Sequence, residues 1–465
     1  MPQQKPNVLW IYGEDLHPDL GCYGTPVVHT PHIDQLAAEG AIFNNTFVTC
    51  PVCSPSRSAI ITGRYQTAIG AHNHRSKRDV PLPNDVPLIT DYFRAAGYYT
   101  CNSPGPGSYE KVGKTDFNFH VENPFDGTDW SQRAAGQPFY AQLNITDTHR
   151  NFSRDDERPI DPSTITLPPY YPDHPLARAD WAQYLESIQV LDRKIGQAMQ
   201  RLDEEDLSDS TMVFFIGDHG RAHVRDKQFL YDGGLRVPCI VRWPGHITAG
   251  TTDERLVSGI DFAATALHLC DLPVPENLDG RPFIDTAIEP RQTVFAARDR
   301  CDGTHDRIRC ARTQRYKYIR NLQPERPYMQ FNAYKKHQYP VWTLLRVLHE
   351  RGELSPVQEK FLAPSRPHEE LYDIQADPYE LNNLAADSAH ESARDELSAQ
   401  LDQWMEATKD QGLLEEDLQV QNEEDTRMQH NFTELMQKRG LDPTISDADY
   451  LGWWLQRFNL MAQQK

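Results

Sequence analysis

Thr211-Met212-Val213-Phe214-Phe215-Ile216-Gly217, followed by Asp218-His219-Gly220, is the stretch whose reading decides the fold. An apolar run of strand length without polar alternation reads as a strand covered on both faces, as in a parallel sheet packed between helices. Its carboxyl end carries an acid and a histidine, at the edge where open α/β sheets place their ligands. A second such run, Pro6-Asn7-Val8-Leu9-Trp10-Ile11-Tyr12, ends at Gly13-Glu14-Asp15. If both strands belong to one parallel sheet, Asp15 and Asp218 converge, and hard oxygen ligands suit a divalent cation. Pro138 to Ile145 reads as a third buried strand, with His149 just beyond its end. Ala177 to Asp203 is amphipathic at helical spacing, and its stripe of Trp181, Tyr184, Ile188, Leu191 and Ile195 reads as core packing.

Between the first two strands lies Cys53-Ser54-Pro55-Ser56-Arg57, after a strand expected over Ala41 to Phe47 and before a short helical stretch that stops at Gly63. This places Cys53 beside a helix N-terminus, where free N–H groups favour an anion or a negative nucleophile. Arg57 lies one turn deeper on the same face, with a fixed positive charge. By residue type alone, Cys53 reads equally as a buried structural cysteine or as a low-pKa thiol nucleophile.

The chain has 465 residues and a formal charge of −20, which excludes a generic nucleic-acid or anionic-membrane surface. An anionic substrate must therefore be attracted by a local cluster against the global field. Arg298, Arg300, Arg307, Arg309 and Arg312 are read as such a collar, with Arg298 and Arg300 as substrate-binding residues. Eight cysteines in a chain of this length do not make a disulfide scaffold. No stretch has the length of a transmembrane helix, and Met1-Pro2-Gln3-Gln4-Lys5 has no apolar signal core. The expected location is cytoplasmic as written, or periplasmic or secreted if an export signal has been removed. His72 and His74, in Gly70-Ala71-His72-Asn73-His74-Arg75, fall on a loop soon after Cys53, and at least one is expected to line its pocket.

Cys53-x-Pro55-x-Arg57 followed by Thr62-Gly63-Arg64 resembles the signature of the type I sulfatases, in which the cysteine is oxidised after translation to formylglycine. In that family the hydrated aldehyde, not a thiol, is the nucleophile. Lys227-Gln228-Phe229-Leu230-Tyr231-Asp232-Gly233-Gly234 resembles the family's second signature region, whose lysine holds the sulfate near the leaving group. Gly113-Lys114-Thr115-Asp116 is similar to the Gly-Lys-x-His element, with Lys114 as the sulfate-binding lysine and Asp116 in the place of the histidine. The resemblance further implies that His149 touches the sulfate and the leaving oxygen, and that Glu14, Asp15, Asp218 and His219 are metal ligands. Glu14 departs from the commoner aspartate.

The fold implied by this resemblance is alkaline-phosphatase-like α/β, with a large mixed sheet flanked by helices and a smaller C-terminal antiparallel α+β subdomain. The expected division is a catalytic domain over 1–310, a subdomain over 311–410, and a helical tail over 411–465, docked or in an oligomer contact, as Trp453-Trp454 invites. The implied cofactors are Ca²⁺, with Mn²⁺ or Mg²⁺ as alternatives, and formylglycine derived from Cys53. The implied partners are a sulfated saccharide substrate and a formylglycine-generating enzyme, with a homo-oligomer left open. Sulfate-ester or N-sulfate hydrolysis is the expected activity, closest to the bacterial glycan sulfatases and the heparan N-sulfatase group. Two other readings stand beside it: a phosphonate monoester or phosphodiester hydrolase of the same superfamily, and a non-catalytic binder of sulfated glycans if Cys53 stays unconverted.

Overall fold

The computed structural model describes residues 5–285 and 287–461, so the Met1 to Gln4 part of the stretch read for an export signal lies outside the described residues. The larger sheet has seven strands: β1 (Asn7–Gly13), β2 (Ala41–Phe47), β3 (Tyr99–Ser103), β4 (Phe139–Ile145), β5 (Thr211–Gly217), β6 (Cys239–Arg242) and β7 (Thr251–Ser258). Their spatial order is β3-β4-β1-β5-β6-β2-β7. Every pairing is parallel except the two made by β6, so the other strands deliver their carboxyl ends to one edge. β4, β1 and β5 lie side by side and are buried along their whole length, which is why the apolar runs of β1 and β5 do not alternate, while β4 carries Gln142 and Asn144 buried in its carboxyl half.

Register then fixes the acids. Gly13 pairs with Gly217, so the residues that follow each strand emerge together. A side chain at Gly217 would put its Cβ 2.8 Å from the Leu16 carbonyl oxygen, so close approach of the two strand ends requires glycine there. The long helix Pro175–Glu204 covers the sheet with Trp181, Tyr184, Ile188, Leu191 and Ile195 buried, as its periodicity predicts.

A separate antiparallel sheet follows, in the order β11-β10-β9-β8: β8 (Val294–Arg298), β9 (Ile308–Arg312), β10 (Tyr316–Asn321) and β11 (Glu369–Asp373). The second sheet thus opens at Val294, and the expected division at residue 310 would cut β9, which pairs with β8 on one side and β10 on the other. The tail forms helices Leu418–Lys438 and Asp447–Arg457. The last of these packs on helix Pro340–Glu350, with Trp454 buried and Trp453 stacked on Tyr450 at 5.7 Å, so the tryptophan pair anchors a docked helix. All eight cysteines are free thiols. Among the described residues no helix is long and apolar enough to cross a membrane.

Candidate active site

Helix Cys53–Thr62 starts at the cysteine itself, after Val52 in extended conformation, and no side chain caps it. Its first N–H groups are therefore left for a ligand. All ten of its residues are buried, and its carboxyl end turns at Gly63, whose φ of 64° is left-handed. The helix thus presents Cys53 at the sheet edge and Arg57 beneath it.

The expected acids meet there. The Sγ of Cys53 lies 3.2 Å from His219 Nε2, 3.8 Å from Asp15 Oδ1 and 3.6 Å from Lys227 Nζ. Ligand atoms from Asp15, Cys53, Asp218 and His219 all lie within 4.8 Å of one another. Asp15 is fully buried with φ at 51°, a left-handed conformation costly for aspartate, and its N–H donates to Asp218 Oδ1 at 2.9 Å. Lys227 Nζ donates to both Asp15 oxygens, at 2.9 and 2.8 Å. Arg57 Nε donates to Asp218 Oδ2 at 2.8 Å and its Nη1 to Asn144 Oδ1 at 2.6 Å, with both members of the Arg57–Asp218 pair buried.

Whether these groups fit a cation is decided by their donor chemistry. His219 Nδ1 lies 2.9 Å from the Gly220 carbonyl, which only accepts, so Nδ1–H is the donor. In the neutral tautomer that a metal ligand requires, the Nε2 lone pair is turned toward Asp15 Oδ1, 2.8 Å away. A lone pair facing a carboxylate, with the ring held by a backbone acceptor behind it, is the arrangement of a metal-ligating histidine. Asp15, Asp218 and His219 therefore fit a divalent ion. Glu14 is placed differently: it is salt-bridged to Lys114, and its carboxylate groups with Asp15 and His149, not with Cys53, Asp218 and His219.

Electrostatics sharpen these roles. Burial would raise the carboxyl of Asp15, but the Lys227 ammonium beside it holds it well below the usual range. Burial works against the charge of Lys227 in turn, and Asp15 overcomes it, so the ammonium persists. Burial pushes the Cys53 thiol up, with Lys227 only partly opposing, so the encoded residue is a poor thiolate nucleophile. His149 is lowered to about 4 by burial, against the pull of Asp15, and is neutral at pH 7.

The remaining expected residues separate. His74 lines the Cys53 cavity, its Nδ1 2.9 Å from Asp302 Oδ1; His72 is buried elsewhere, beside Arg309 and Lys77, and does not line it. Asp116, in the place of the family histidine, pairs with Arg75 and Arg78 and lies 3.7 Å from Lys114. The arginine collar does not form. Arg298 is buried against Asp306, and Arg300 against Glu416, so neither guanidinium is open to a substrate. The sequence reading missed Asn144, Asp302, Tyr334 and His337, and missed that the expected helical tail would line the cavity. For the last a signal existed, because Met428, Phe432 and Leu435 recur at i, i+4 and i+7.

The sulfatase family model matches residues 6–272, more than half of the chain. The protein belongs to the sulfatase family. As a sulfatase it is a sulfuric ester hydrolase. A second model, N-sulphoglucosamine sulphohydrolase, C-terminal, matches residues 217–340. An ulvan-active sulfatase of Formosa agariphila is 32% identical over 89% of this chain and 77% of its own. Among solved structures, a Bacteroides thetaiotaomicron protein from work on the metabolism of multiple glycosaminoglycans superposes with a TM-score of 0.64 at 20% identity, covering 87% of this chain and 97% of its own. The phosphonate monoester hydrolase of Agrobacterium radiobacter does so with a TM-score of 0.64 at 19% identity, covering 87% and 96%. At those identities the likeness is one of fold, which here is the sulfatases' alkaline-phosphatase-like architecture.

Proposed function

We propose that this sulfatase removes sulfate, as an ester or N-sulfate, from a sulfated carbohydrate, with position 53 acting as formylglycine. The observation that carries the proposal is the meeting of Cys53 with Asp15, Asp218 and His219 at one sheet edge. Glu14, Asp15 and Asp218 face Lys114, Lys227 and Arg57, so the carboxylates and cations of the pocket cancel. A divalent cation held there would tip that balance toward a sulfate monoanion, with Ca²⁺ first and Mn²⁺ or Mg²⁺ as alternatives. When bound, the metal supplies Lewis-acid polarisation of the sulfate and makes a neighbouring hydroxyl more acidic.

The chain's own residues do the rest. Asp15, Asp218 and His219 would hold the ion. Arg57, locked on Asp218 and Asn144, fixes a positive charge beneath position 53. Lys114 neutralises charge on the transferring group. Lys227, kept charged by Asp15, stabilises the departing oxygen, while neutral His149, its Nδ1–H donated to the Arg150 carbonyl, offers Nε2 as an acceptor for the hydroxyl of the alcohol once it has formed; this division follows from their opposite pKa shifts. The buried, protonated thiol supports conversion by a formylglycine-generating enzyme over direct use of cysteine.

The test is intact-peptide mass spectrometry of the Cys53 segment together with Cys53→Ala, which is expected to lose at least ~10⁴-fold in turnover. Full activity in that variant would refute the covalent role. The Asp218-His219 pair also fits phosphonate monoester hydrolysis. An aryl sulfate and an aryl phosphonate monoester, compared under the same metal loading, separate the two, and faster turnover of the phosphonate reverses the assignment.

A further inference from the structure

The cavity over Cys53 has a second wall that the chemistry above does not use. Its volume is about 210 Å³, below the ~300–1,000 Å³ typical of pockets for drug-sized ligands. Helix Ala333–Gln338 forms one side, and the tail helix Leu418–Lys438 forms the other through Met428 and Phe432. Four buried polar atoms of residues on this cavity lack a hydrogen-bond partner: Tyr334 OH, His337 Nδ1, Gln338 Oε1 and His74 Nε2. Native interiors leave few such atoms, and each costs free energy until something pairs with it. These four belong to residues that share one cavity next to Cys53, so a single ligand bound there can supply the partners.

Their chemistry selects the ligand. Gln338 Oε1 only accepts. His74 donates from Nδ1 to the Asp302 carboxylate, which leaves Nε2 as an acceptor. The Tyr334 hydroxyl both donates and accepts. A ligand satisfying all of these offers several hydroxyls on a compact frame, together with a C–H face for Phe432 and Met428; a sugar ring has both. Tyr334 also ties this wall to the reaction centre, with its ring centroid 5.4 Å from Lys227 Nζ and 6.2 Å from that of His149.

The tail helix is fastened at both ends. Arg300 donates to Glu416 at 2.6 and 2.9 Å, His305 lies 3.0 Å from Asp425, and Arg439 donates to the His337 carbonyl at 2.6 Å. A polysaccharide running through the cavity would have to displace it.

We propose that helix Leu418–Lys438 and helix Ala333–Gln338 complete a subsite for one sugar ring, so that the enzyme desulfates a terminal residue and not the interior of a chain. This rests on the reading of a sulfated saccharide as substrate. The test uses the converted, metal-loaded enzyme on trisaccharides carrying one sulfate, on a terminal or on the internal ring, with 4-nitrophenyl sulfate as the reference. The expected result is desulfation of a terminal ring at least a hundredfold faster than of the internal one. Tyr334→Phe and Phe432→Ala should each lower the ratio of saccharide to aryl kcat/KM by about fivefold or more. Comparable rates on terminal and internal rings, or a ratio that neither variant changes, overturns the subsite; Tyr334→Phe, which removes one oxygen, keeps that outcome readable if Phe432→Ala misfolds. Turnover of the aryl sulfate with none of the saccharides overturns the subsite and leaves sulfatase chemistry standing. No turnover of any substrate overturns the underlying reading and the subsite with it.

Discussion

The two sides of the Cys53 cavity are built in different ways. On one side, Asp15 and Asp218 follow the ends of two buried parallel strands held in register, and the buried helix Cys53–Thr62 sets Cys53 beside them. On the other, Phe432 and Met428 are carried by a helix that packs on helix Ala333–Gln338 and is tied by ion pairs and a carbonyl contact. Chemistry thus rests on the least deformable part of the molecule, and substrate choice on a part that is merely fastened.

The largest effect is expected where the first side is broken. Asp218→Ala strands the buried guanidinium of Arg57, and removing one partner of such a pair costs roughly 3–5 kcal/mol. Urea denaturation should show that loss, with turnover abolished, while an unchanged midpoint would deny the pair its structural role. Glu416→Ala attacks the second side instead. It should cost about 1–3 kcal/mol, raise hydrogen exchange over residues 418–438 but not in β1 or β5, and lower selectivity for saccharide over aryl sulfate; uniform loss of protection would erase the contrast between the sides.

Acid should act on the histidines that burial keeps neutral. His72 is lowered to about 3 by burial, with Arg309 and Lys77 adding to it. Between about pH 6.5 and 3 the unfolded chain holds this proton and the folded chain does not, so stability falls as pH falls, by up to ~1.4 kcal/mol per pH unit. His72→Gln should flatten that slope in denaturation measured across the window; an unaltered slope refutes the assignment. The smallest effect concerns the field that both sides share. With a formal charge of −20, screening by salt should raise kcat/KM for a polysulfated substrate, by about two- to threefold between low and physiological ionic strength, and leave kcat alone. A fall in kcat/KM would show that local cations dominate at long range.

These contrasts also explain what could be read in advance. The strands under the acids announce themselves because burial on both faces demands unbroken apolar runs, and the Cys53 helix because its motif and its Gly63 stop are local. Arg298 and Arg300 misled for the opposite reason. A guanidinium looks free in a sequence until the fold brings a carboxylate to it, and Glu416 lies 116 residues beyond Arg300. His72 and His74 share one loop, and only the placement of Asp302 decides which of them turns inward. The tail showed a short apolar stripe, but nothing local states what that stripe will face.

The two-ended fastening of helix Leu418–Lys438 sets the order in which the molecule wears out. Warming loosens peripheral contacts before it opens strands buried on both faces. An ageing or heated sample should therefore grow indiscriminate while it is still quick, stripping sulfate from substrates it once refused, and fall silent only later, when the strands themselves part.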